Sequence, residues 1–462
     1  MQKEKSIGRN ILIVVLILVT IASICAGLFA WAKYQTTING TATGETAKWS
    51  FKVSDGNTST QEIEFPMTRK DNNTSVATGK IAPGTYGELE IGIDATGTET
   101  ALTYTIEGEL TNLPTNMKFY SDAERTSELT VLNNKFSKGG YMKLNEIGVR
   151  TEKIYWEWPF ETGTSATVIE KNDEIDTQDS SKTMSMQISV TGKQLNGNPV
   201  LADLVQVGDY VNYDASSNGT RTFTSSDCLA GTSILDTIST VDAFDSNEKS
   251  QWRVMSVDRD TGLIELIAVE SSPYSITLSN IDGYANGETI LNNIGAIYGQ
   301  GKGAEGGRSL NLGDIEKYSN YDKTTHSKYN LSEIFTFRKS GSNLDVSEVA
   351  KLIGSSENPV TVTQSYYNYD RSDHIFNKVI LDLFFNKSSY VLASHSINIM
   401  TSQYADFGLY KRTDTYKLGY ASLYNSAGYL GNENVKMVPV VTLNTNIKTI
   451  GQNADGVWQL DV

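Results

Sequence analysis

The run Tyr366-Tyr-Asn-Tyr369 holds the side chains of this sequence best suited to touching a ligand. A tyrosine offers an apolar ring face and a hydroxyl, which suits sugars and protein partners. Tyr390 and Tyr404 join these as a candidate ligand face for a glycan or protein. The competing reading folds the same rings back onto a core. Other chemistry-bearing residues stand too far from any partner. His326, His374 and His395 form neither an HxxxH nor an HExxH pattern, so zinc hydrolysis finds no support. Ser394 and His395 are adjacent, and neighbours in a strand point to opposite faces, so they do not make a nucleophile and its base. Gly301-Lys-Gly-Ala-Glu-Gly306 matches a dinucleotide-loop pattern by letter only. That site needs a strand before the loop and a helix after it, whereas here a helix precedes and a polar surface loop is expected. Asp258-Arg-Asp-Thr-Gly262 begins like a calcium loop, but its glycine comes one position early and Val269 stands where the bidentate acid belongs. It is read as a hairpin turn. No metal, cofactor or catalytic residue is assigned, and the chain is expected not to be an enzyme.

The elements that would carry these residues follow from a strong feature at the start of the chain. Residues Ile11–Ala32 are uncharged and are preceded by Lys3, Lys5 and Arg9. As a helix the run is about 33 Å long, against a hydrocarbon core of about 30 Å. Cationic flanks stay in the cytoplasm, so the chain from Lys33 onward is expected outside it, at the cell surface or secreted. Two readings stay open. Ala30-Trp31-Ala32 is a small-x-small pattern for signal peptidase, whereas the length of the run favours a retained single-pass membrane anchor. Cys25 lies within the run, and Ile24 before it does not fit a lipid-attachment site. Cys228 is alone beyond the run, so no intrachain disulfide staples that part, and its thiol is read as a small buried group. A net charge of −15 argues against nucleic acid as a partner.

Alternation then predicts a β-sandwich over 33–195. Trp49, Phe51 and Val53 share one face, as do Ile63, Phe65 and Met67, then Leu89, Ile91 and Ile93, then Leu102, Tyr104 and Ile106. Gly108 is expected to end the last of these strands. Later strands are expected at Lys153–Glu157 and Met184–Thr191, with a helix near Ser121–Leu132. Residues 196–203 (LNGNP and its flank) read as a linker. The region 204–462 reads as an α+β domain. Its expected strands are Val205–Tyr213, Trp252–Asp258, Leu263–Val269, Met437–Leu443 and Val457–Leu460. Its expected helices are Gly287–Tyr298, Val346–Ile353 and Asp373–Phe385. Lys302–Arg308 and Tyr366–Ser372 are expected to be loops.

Two resemblances extend this reading. Phe29-Ala-Trp-Ala-Lys-Tyr-Gln-Thr-Thr, Gly40-Thr-Ala-Thr, Ala47-Lys-Trp-Ser-Phe-Lys-Val and the turn Ile81-Ala-Pro-Gly-Thr-Tyr-Gly-Glu-Leu-Glu-Ile resemble TasA/camelysin-like surface proteins of Gram-positive bacteria. That implies a jelly-roll-like sandwich, export through a dedicated signal peptidase, and a place in fibres or extracellular matrix. Further on, Leu204-Val-Gln-Val-Gly-Asp-Tyr-Val-Asn-Tyr213, Trp252-Arg-Val-Met-Ser-Val-Asp258, Arg308-Ser-Leu-Asn-Leu312, Ser389-Tyr-Val-Leu-Ala-Ser394 and Pro439-Val-Val-Thr-Leu443 resemble a module of clostridial secreted proteins. Such modules are similar to the sulfatase-modifying-factor/C-type-lectin-like fold. The chain departs from that pattern at Val391, where Trp is usual, and at Val438, where Arg is usual, which weakens any ligand site carried over from it. The combined expectation is a structural or display protein of the surface or matrix. A binding-module role as an adhesin is the alternative, and a secreted enzyme is the more remote one. The polar, Thr-rich segment Lys33–Thr43 could add as a strand to a neighbour's sheet edge and so drive self-assembly.

Overall fold

A computed structural model describes residues 48, 50–54, 67–162, 166–241, 244, 249–318, 354–355, 358–359, 378–401, 404–414, 417–425 and 430–462. The apolar run Ile11–Ala32, the Ala30 and Ala32 cleavage positions, the Lys33–Thr43 segment, the expected strand at Ile63–Phe65 and the expected helix Val346–Ile353 lie outside them. Among the described residues strand outweighs helix, 42% to 16%, which places the protein in the β-rich class. Among the described residues no helix is long and apolar enough to cross a membrane.

The first domain contains β1 (Lys52–Ser54), β2 (Thr68–Arg69), β3 (Thr85–Asp94), β4 (Leu102–Thr111), β5 (Lys118–Tyr120), β6 (Lys135–Met142), β7 (Val149–Trp158), α1 (Ala166–Asp179) and β8 (Ser185–Gln194). One sheet has the order β1-β3-β7-β5, with β2 also on β3, and the other is β6-β4-β8. All pairs are antiparallel. Period two decides which residues meet. Leu89, Ile91 and Ile93 of β3 and Leu102, Tyr104 and Ile106 of β4 are buried in one core with Trp156 and Phe136. Each such Leu or Ile contributes about 1.5–3 kcal/mol by leaving water. Two sheets around one core are consistent with a β-sandwich.

Two expectations change here. Gly108 does not end β4, which runs on to Thr111. Ser121–Leu132 is not a helix. The Asp122 carboxylate accepts the N–H groups of Thr126 and Ser127, Arg125 takes a left-handed φ of 53°, and Leu129 enters the core. Side-chain acceptors here outcompete helical backbone pairing. In contrast α1 forms where no apolar stripe announced it. Polar contacts hold it: Asp176 accepts the Trp158 indole N–H at 2.8 Å and the Asn116 amide at 2.9 Å, and Asp179 accepts the Thr115 N–H.

The second domain begins with a buried 3-10 turn, Leu201–Asp203, so that end of the expected linker belongs to a core. It continues with β9 (Tyr210–Asn212), β10 (Thr222–Phe223), β11 (Thr232–Ile234), β12 (Ile238–Ser239), β13 (Trp252–Asp258), β14 (Leu263–Ala268), β15 (Ile276–Ser279), α2 (Asn280–Tyr298), β16 (Ala304–Ser309) and α3 (Leu312–Glu316). After these come β17 (Gly354–Ser355), β18 (Asn358–Pro359), α4 (Lys378–Phe384), β19 (Val391–Thr401), β20 (Tyr404–Asp414), β21 (Lys417–Asn425), β22 (Asn432–Val435), β23 (Pro439–Leu443), β24 (Lys448–Gln452) and β25 (Trp458–Asp461). The main sheet has the order β16-β23-β14-β13-β9-β25-β24, with only β9 and β25 parallel. Smaller sheets are β19-β20-β21 and β11-β15-β22, with pairs β10-β12 and β17-β18.

Helix α2 buries Ile290, Leu291, Ile294 and Ile297 against the main sheet, and it crosses β16 at backbone distance. A Cβ on Gly295 would sit 2.2 Å from the Arg308 carbonyl carbon, and one on Gly299 would sit 2.0 Å from that of Gly306. The glycine-rich segment 301–306 is therefore not a surface loop. Its second half is the edge strand β16, paired with β23.

The two domains touch directly. A Cβ on Gly139 of β6 would lie 2.0 Å from the Asp203 carbonyl oxygen. Lys193 Nζ reaches Asp203 Oδ1 at 2.9 Å, and the Lys378 N–H donates to Glu128 Oε2 at 3.3 Å.

Candidate functional site

Of the tyrosines read as a ligand face, Tyr366, Tyr367 and Tyr369 lie outside the described residues. Tyr404 opens β20, paired with Thr401. Tyr390 is 1% exposed and its hydroxyl donates to the Phe384 carbonyl, so it belongs to the core and not to an open face. His326 and His374 lie outside the described residues.

His395 is held on all sides. Its Nδ1 is 3.0 Å from Glu288 Oε1, its backbone N–H donates to the same oxygen at 2.6 Å, and Nε2 is 2.7 Å from the Tyr284 carbonyl oxygen. Burial alone would lower its pKa, but Glu288 raises it above the usual histidine value; Glu288 is lowered in turn. Both ring nitrogens are engaged, and Ser394 Oγ is turned to the Ala393 carbonyl and the Leu312 N–H. The pair positions α2 against β19. Cys228 is half-buried beside the second core. Asp258–Gly262 is the β13–β14 turn, with Gly262 at a φ of 74°. Among the described residues no group of three or more His, Cys, Asp or Glu could hold a metal.

Arg308 shows what the Arg308–Leu312 stretch does. Its Nη1 and Nη2 grip Asp314 at 2.6 and 2.7 Å, and Nη2 also reaches Glu265 at 2.7 Å. Asn311 caps α3 by accepting the Asp314 N–H at 3.1 Å, while Asp314 accepts the Asn311 N–H at 2.9 Å. Burial pulls the guanidinium down, yet the two carboxylates raise it overall. Every strong acceptor is matched, so this node is structural.

A different arginine stands in a cleft between the domains. The outer face of β6-β4-β8 is polar because its inner face supplies the core. It presents Glu107, Glu109, Gln187 and Ser189. The facing wall carries Gln206, Arg259, Lys317 and Tyr318. Where Gly139 meets Asp203 the walls touch; further along the strands they enclose about 340 Å³. Arg259 Nη2 donates to the Val205 carbonyl at 2.7 Å, while its Nε is buried without an acceptor. Gln206 Nε2 is likewise buried and unpaired. Burial lowers the Arg259 pKa, opposed by the fields of Glu107, Asp203 and Asp209. On the far wall Glu109 is neutralised by Lys135 at 3.2 Å. Sequence reading missed this site because its walls come from separate domains and share no spacing. One signal was available: a cation inside the acidic turn Asp258–Asp260.

A second, more open hollow of about 550 Å³ lies over Tyr213, Trp252 and Tyr298. These rings pack edge-to-face, 5.4 Å apart for Tyr213 and Trp252, and each is at most 4% exposed. They offer no open face to a sugar.

Compared with known proteins, the sequence matches no family model and no curated protein.

Proposed function

We propose that this is an exported, non-enzymatic protein of a Gram-positive cell surface or extracellular matrix. In this reading a jelly-roll-like, TasA-type sandwich assembles or docks, and it displays a C-type-lectin-like second domain. The carrying observation is the edge strand β8. It pairs with β4 over ten residues without a bulge, contains no proline, has Lys193 as its only charge, and has no partner on its other side among the described residues. Soluble proteins normally blunt such an edge with prolines, bulges or charges. An unblunted one suits strand addition by a second copy, with Lys33–Thr43 as the strand supplied. The apolar leader Ile11–Ala32 supports export, whether it is cleaved after Ala32 or kept as an anchor.

Electron microscopy of the purified protein over a concentration series tests assembly. Fibres are expected with residues 33–43 present and absent after their deletion. Equal assembly without them contradicts strand supply. A reporter fused after Val462 and active only in the cytosol contradicts export. The interdomain cleft favours one second reading, a binding module of the adhesin type, in which the cleft and not the expected tyrosine face carries recognition.

A further inference from the structure

Arg259 stays charged at any physiological pH, and Coulomb fields from three carboxylates reach it, yet among the described residues it makes no ion pair. Its neighbour Gln206 also keeps an unpaired amide nitrogen. Both free groups are donors. A buried donor left unmatched costs about 1–3 kcal/mol, so the group that fits here is an acceptor. A carboxylate is the strongest match, since it accepts charge-assisted hydrogen bonds from a guanidinium. Both residues line the cleft. The opposite wall sets the rest of the chemistry. Glu107, Gln187 and Ser189 accept from hydroxyl or amino groups. The volume of about 340 Å³ holds one small molecule and not a polymer chain.

We propose that this interdomain cleft binds a small polar molecule bearing one carboxylate, with the acid group on Arg259 and Gln206 and its hydroxyl or amino groups on Glu107, Gln187 and Ser189. Two sources share that chemistry, a uronic-acid sugar and a free amino acid. The site does not depend on surface display or on assembly.

Calorimetric titration of the full-length protein with D-glucuronate, L-glutamine and neutral D-glucose tests it. Saturable binding of glucuronate or glutamine below about 10 mM, with glucose silent, is expected, and whichever acid binds identifies the source. Arg259→Gln should weaken that binding about tenfold or more. Glu107→Gln sits on the exposed far wall, where folding is indifferent to it, and should weaken binding about threefold. Should Arg259→Gln not fold, Glu107→Gln decides alone. No saturable binding of either acid, or unchanged affinity in the folded variants, overturns the proposal.

Discussion

Arg308 and Arg259 stand in the same domain, each partly buried, and they are surrounded in opposite ways. Arg308 closes a circuit: two oxygens of Asp314, one of Glu265, and a helix cap that orients Asp314. Arg259 has one carbonyl oxygen and an idle Nε. A buried charge with all its partners resists change, because removing it strands the partners. A buried charge without partners costs the fold free energy, and such a cost persists where a function uses it. The contrast separates a structural cation from one free to meet a ligand.

The largest effect is expected on the closed side. Arg308→Ala leaves Asp314 and Glu265 facing each other, and, as the side chain is 28% exposed, should cost about 2–3 kcal/mol in urea or thermal unfolding. A variant as stable as the parent would erase the contrast. Next comes the seam that shapes the open side. Gly139→Val drives a side chain into the Asp203 carbonyl and should cost about 1–3 kcal/mol. X-ray scattering should show a longer particle as the domains part; an unchanged profile would mean that the seam is not set at Gly139. Smaller again is Arg259→Met. Without ligand it should leave stability unchanged or raise it by up to about 1 kcal/mol, since an unpaired buried charge is exchanged for a chain of similar length. A loss approaching that of Arg308→Ala would show that the two sites are alike.

How far these sites were legible depends on how local their cause is. Leu89, Ile91 and Ile93, or Leu102, Tyr104 and Ile106, declare a face within one strand, so alternation located them. Trp252–Asp258 was bounded by its turn residues, and the strand falls there. Helix α2 begins at Asn280, seven residues before the expected Gly287. Its first turns contain Gly283 and Gly287, which make close contacts with Gly231 and Leu409. The cleft was legible only as a cation set within the acidic turn Asp258–Asp260. Glu107 reads as the solvent face of a strand and Arg259 as part of a turn, and only the docking of Gly139 on Asp203 brings the two walls together.

The smallest expected effect concerns the His395–Glu288 pair, a third arrangement in which an imidazole is matched by one carboxylate. The raised His395 value adds stability below the unfolded pKa of about 6.5, and this is lost as pH rises through the folded value. The lowered Glu288 value adds stability above about 4.5, and this is lost as pH falls through its folded value. The contribution should therefore peak between those two limits. Comparing the pH dependence of melting in the parent and in His395→Gln should show this hump vanish, and a hump that persists would assign it to other groups.

One crossed measurement tests the division between the two arginines most directly: melting temperatures of the parent, Arg308→Gln and Arg259→Gln proteins, each with and without saturating carboxylate ligand. Arg308→Gln should lower the melting temperature and keep the ligand-induced rise. Arg259→Gln should keep the melting temperature and lose the rise. The opposite pattern, with ligand stabilisation surviving at Arg259→Gln or disappearing at a folded Arg308→Gln, would contradict it.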